Sequence, residues 1–104
     1  MIFIQFYKTN NFLSKVIISG HSGKKGSSIP CAAISYLVQS ISSYSAAKGI
    51  AIAKDDGKVY NIDLVKLKKF SDDMYEFLIF SLELIARDYS KDIKLEFLEE
   101  NNGT

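Results

Sequence analysis

The sequence predicts an α+β fold: a two-layer domain in the order β-β-α-β-β-α-β, with a mainly antiparallel sheet packed with two helices. Three observations carry this expectation. Runs rich in β-branched and aromatic residues occur at 2–7, 12–19, 50–62 and 92–100. From Pro30 and again from Ser71 the apolar residues switch to three- and four-residue spacing. No repeat, low-complexity tract or linker interrupts the 104 residues, so residues 1–104 are expected to form one domain around one core.

Composition narrows the function classes. Hydrophobic residues make up 47% and charged residues 24%, the balance of a globular chain. The formal net charge of +1 provides no overall field for nucleic acid or an anionic membrane, so neither is expected as a direct partner. The N-terminus "MIFIQFYKTNNF" lacks the basic start and the apolar length of a signal peptide. No apolar run approaches the roughly 18 residues of a membrane span. One cysteine and one histidine permit neither an internal disulfide nor a multi-cysteine zinc framework. No metal or cofactor is therefore expected, and a reducing cytoplasm is the natural setting.

Taken in order, "IFIQFY" (2–7) reads as a strand apolar on both faces, hence central. "KTNN" turns the chain into "FLSKVIIS" (12–19), which pairs with it as a hairpin that Gly20 closes. Helical spacing begins at Pro30, where Ile34, Leu37, Val38, Ile41 and Tyr44 recur along one stripe and Gly49 marks the stop. "IAIAKDDGKVYNI" (50–62) reads as a hairpin turning at Asp56-Gly57. "VKLKKF" (65–70) is a small basic cluster, read as a solvated connection into the second helix. That helix spans 71–89, with Ser71 as N-cap and Asp72, Asp73 and Glu76 complementing the dipole. Its apolar positions cover a wide arc, which fits deep burial or a partner chain. "DIKLEFLEE" (92–100) alternates as a half-exposed strand, and "NNGT" reads as a frayed tail.

The chemistry concentrates between the hairpin and the first helix. "SGHSGKKGSSIPC" holds the only histidine and the only cysteine, and Gly20–Ser28 contains three glycines, three serines and two lysines. A cysteine attacks as its thiolate, and the first turn of a helix stabilises that charge through its N–H groups and dipole. A histidine beside it can take the thiol proton and return it to a leaving group. His21 at a strand terminus and Cys31 at a helix terminus thus form a candidate base and nucleophile, with the loop between them as a lid. Gly20, Gly23 and Gly26 would let the backbone approach a substrate closely. The N–H groups of Ala32 and Ala33 are candidate oxyanion donors. Set against this, a single cysteine is also a common small core residue.

"SGHSG", a short glycine-containing loop and then "CAAISYLVQS" resemble the signature of the ribosomal-processing cysteine proteases, small bacterial proteins with a G-H-A-G loop followed by D-I-V-C-A-A-V-S. The element order agrees with that family over nearly the whole chain. The resemblance implies a cysteine endopeptidase that removes an N-terminal extension from a bacterial large-subunit ribosomal protein. It implies His21 as general base, Cys31 as nucleophile, Gly20 and Gly23 framing the histidine, and Ser35 facing the same cleft. It further implies a homodimer. The chain departs from the pattern at Ser28, where the family carries an acid, and at Pro30. The loop is about two residues shorter than the family's, and Lys24 and Lys25 make it basic. Two other readings stay open: a non-catalytic module of the same fold that holds a ribosomal protein, and an unrelated α+β dimer with an inert thiol.

Overall fold

The computed structural model describes residues 1–21, 28–57 and 59–100. Its elements are β1 (Ile2–Thr9), β2 (Phe12–Gly20), α1 (Ile29–Ala47), β3 (Ala53–Asp55), β4 (Val59–Asp63), α2 (Leu64–Phe70), α3 (Asp72–Asp88) and β5 (Ile93–Glu99). The strands form one five-stranded sheet in the order β3-β4-β2-β1-β5. Three pairings are antiparallel, and β5 alone runs parallel, beside β1. The α+β architecture thus agrees with the sequence reading, with one helix added.

Local chemistry explains the turns. Asn10 and Asn11 take φ of 51° and 70°, the left-handed pair that a two-residue hairpin between Thr9 and Phe12 requires. In the second hairpin the Asp55 carboxylate accepts the Gly57 N–H at 2.8 Å, and Gly57 supplies the positive φ of 89°. Helix α3 begins where Ser71 Oγ accepts the Met74 N–H at 3.2 Å, as the sequence predicts.

Alternation on β1 places Ile2, Ile4 and Phe6 in the core, while Phe3, Gln5 and Tyr7 lie half-buried on the other face. Val16, Ile18 and Ile62 extend the buried face, and Ile34, Val38, Leu78 and Leu82 close over it from α1 and α3. The Tyr75 hydroxyl donates to the Leu13 carbonyl at 3.0 Å and ties α3 to β2.

Two readings along the chain are corrected. Residues 65–70 belong to helix α2, which Asp63 caps by accepting the Lys66 N–H at 3.1 Å. Leu64 and Leu67 are fully buried one turn apart, so the apolar stripe was present beneath the basic residues. Lys68 bridges to Asp72 at 2.7 Å across the α2–α3 junction, and that hydrogen bond raises the lysine pKa. On α1, Ser45 takes the buried position and Tyr44 stays 52% exposed. Eleven residues make about three turns, which sets position 45 beneath position 34. The Ser45 hydroxyl donates to the Ser42 carbonyl at 3.0 Å, so its burial strands no polar group.

Candidate active site

The end of β2 positions the histidine. Gly20 pairs with Ile2 and adopts φ of +78°, and a Cβ built there would lie 2.3 Å from the Met1 carbonyl oxygen. Glycine is demanded twice at this point, by backbone conformation and by the closeness of β1. The next residue, His21, is exposed, and its carbonyl accepts a hydrogen bond from the Met1 amino group at 2.8 Å. Its imidazole is therefore carried on a backbone held at the end of the central hairpin.

The start of α1 positions the cysteine. Ser28 is the N-cap, in extended conformation, and Pro30 occupies the first turn where no N–H is needed. Ser28 Oγ accepts the Cys31 N–H at 3.3 Å, and the Ser28 carbonyl accepts the Ala32 N–H at 3.1 Å. Cys31 is half-buried, with one side packed against the core. The helix thus starts one residue before the proline, and the serine that stands in place of the family's acid is its cap. A serine two residues before a proline, ahead of an apolar stripe, was the signal available in the sequence. Ser28→Ala is expected to cost about 1 kcal/mol of stability. A thermal melt should show Tm falling by about 4–8 °C, and an unchanged Tm would deny the cap its role.

The remaining predicted residues divide into three cases. Ser35 is half-buried one helical turn beyond Cys31, and its spacing puts it on the same side of α1. Ala32 and Ala33 lie in the first turns of α1, but the Ala32 N–H already donates to Ser28. Its use as an oxyanion donor requires that bond to be shared or given up. Gly23 and Gly26, with Lys24 and Lys25 and the rest of the expected lid, lie outside the described residues, as does the tail at 101–104. Among the described residues no group of three or more His, Cys, Asp or Glu is placed to hold a metal ion. No helix among the described residues is long and apolar enough to cross a membrane.

Solved structures share this fold. SMU.848 from Streptococcus mutans superposes with a TM-score of 0.74 at 22% identity, covering 96% of this chain and 96% of that one. An essential ribosomal processing protease Prp from S. aureus, in complex with a covalently linked product peptide, gives a TM-score of 0.69 at 21% identity, covering 93% and 99%. The same S. aureus protease with a substrate peptide gives 0.67 at 20% identity, again covering 93% and 99%. At these identities the likeness is one of fold. No curated protein matches the chain in sequence. The family model of the cysteine protease Prp does match, over residues 1–94, and the chain belongs to that family.

Proposed function

We propose that this protein is a cysteine endopeptidase that trims an N-terminal extension from a bacterial large-subunit ribosomal protein, with Cys31 as nucleophile and His21 as general base. The observation that carries the reading is the placement of Cys31 in the capped first turn of α1, in the chain of a cysteine protease family. The S. aureus relative is a ribosomal processing protease whose product peptide has been seen covalently linked, which supports nucleophilic catalysis and this substrate class.

In this mechanism His21 takes the Cys31 thiol proton and the sulfur attacks the scissile carbonyl carbon. The carbonyl π electrons move to oxygen, and N–H groups of the first turns of α1 stabilise that oxyanion. Collapse expels the amine, which receives the proton from His21, and leaves a thioester on Cys31. Water, deprotonated by His21, then attacks the thioester and restores the thiol. Gly20 and Gly23 flank the histidine in the sequence, and Ser35 borders the cleft beside the nucleophile. No cofactor takes part. A cytoplasmic location keeps Cys31 reduced for this role.

The test is mass spectrometry of the host's full-length candidate ribosomal protein after incubation with the purified chain, beside Cys31→Ala and His21→Ala. A discrete N-terminal trim, lost in Cys31→Ala and sharply reduced in His21→Ala, is the expected result. Binding without any trim by the parent chain would establish the non-catalytic module instead.

The functional unit is, on this reading, a homodimer joined through α3. Phe77, Phe80 and Leu84 are 57%, 66% and 36% exposed and recur on one stripe of that helix. The double substitution Phe77→Glu/Phe80→Glu is expected to weaken the dimer by about 100-fold or more, seen as a shift to monomer mass in light scattering. A monomeric parent chain at the same concentration would overturn the assignment.

A further inference from the structure

A cavity of about 510 Å³ opens at the start of β2, the end of that strand remote from His21. Its volume lies in the range of small-molecule sites, about 300–1,000 Å³. Three lysines line it, Lys15, Lys54 and Lys66, against two carboxylates, Asp63 and Glu100. Both carboxylates are already engaged. Glu100 pairs with Lys15 at 3.3 Å, and Asp63 caps α2 through the Lys66 backbone N–H at 3.1 Å. The ammonium groups of Lys54 and Lys66 have no ion pair among the described residues, and both side chains are exposed. Asn61 stands directly opposite Lys54 in the β3–β4 register, so its amide lies on the same face of the sheet. Half-buried Phe12 adds an aromatic wall.

We propose that this cavity binds the phosphate of a nucleotide, with Lys54 and Lys66 neutralising the charge, Asn61 donating a hydrogen bond and Phe12 packing on the base. The ammonium groups act as point charges that suit phosphate oxygens. The space also far exceeds a bare phosphate, and the aromatic wall beside the cations fits a base. The +1 net charge of the chain does not bear on this, because it averages the local cations against acids elsewhere. The nucleotide is either free or part of a single RNA strand, and the two sources separate experimentally.

The experiment follows backbone amide shifts of the full chain by NMR during titration with inorganic phosphate, adenosine monophosphate, single-stranded octauridine and hexaglutamate. Saturable shifts at Lys54, Asn61 and Lys66 with a nucleotide probe are expected. Lys54→Gln/Lys66→Gln should raise Kd by about tenfold or more, its spectrum elsewhere unchanged. Two phosphate contacts to a strand also imply that octauridine affinity falls about sevenfold between about 50 and about 200 mM salt. Octauridine binding well above adenosine monophosphate marks a strand site, and equal affinities mark a free-nucleotide site. Hexaglutamate or inorganic phosphate binding as tightly as either nucleotide probe would overturn the proposal. So would the absence of saturable shifts up to millimolar concentration, or binding unchanged in the double variant.

Discussion

Cys31→Ala is expected to lower kcat/KM for peptide-bond cleavage by roughly 10⁴- to 10⁶-fold, the scale seen when a covalent nucleophile is removed from a working constellation. That corresponds to about 5–8 kcal/mol of lost transition-state stabilisation. The alanine keeps the capping bond of α1, because Ser28 accepts the backbone N–H of residue 31, which the substitution leaves in place. Substrate affinity should therefore persist, and a calorimetric titration of the variant should return a Kd close to that of the parent. His21→Ala should lose less, roughly 10²- to 10⁴-fold, since a thiol still ionises without its base. A double variant that loses no more than Cys31→Ala alone would show that the pair acts as one unit. A Cys31→Ala protein that still trims would remove the cysteine from the mechanism outright.

Gly20→Ala is expected to destabilise the fold by roughly 2–4 kcal/mol, the sum of a left-handed backbone penalty and a steric shift. Gly49 provides the control. It also has a positive φ, +88°, yet nothing lies within 4 Å of where its Cβ would sit. Gly49→Ala should therefore show only the conformational part, about 1 kcal/mol. The difference between the two in urea denaturation isolates the Met1 carbonyl contact. The contact is with Met1, whose amino group also holds the His21 carbonyl, so relieving it disturbs that anchor and Gly20→Ala should also depress cleavage at temperatures where the protein remains folded. Equal stability losses at the two glycines would show that β1 does not crowd residue 20.

The features most legible in the sequence are those made by neighbours along the chain. Asn10-Asn11 and Asp56-Gly57 announce their turns, Ser71 announces the start of α3, and the Pro30 stripe announces α1. Helix α2 is hard to read in the sequence because Lys66, Lys68 and Lys69 dominate a seven-residue segment with just two fully buried residues, Leu64 and Leu67. Apolarity alone turns Tyr44 inward, whereas the helical angle chooses Ser45. The candidate site divides in the same way. Cys31 in a first turn and His21 after a strand could be read directly, while the engagement of the Ala32 N–H by Ser28 could not.

By itself the sequence determined the two hairpins, the two long helices, the Ser71 cap, and the setting of one histidine and one cysteine at the ends of neighbouring elements. These follow from φ preferences, side-chain capping and periodicity, all local in the chain. Only the tertiary structure decided that β5 returns parallel to β1, pairing Ile93 with Ile2 across the length of the chain. It also decided that Met1 crowds Gly20, and that Lys54 and Lys66 meet at one cavity from different elements. Such pairings are set by burying the faces of β1, α1 and α3 together, an energy shared among distant residues that no short stretch encodes.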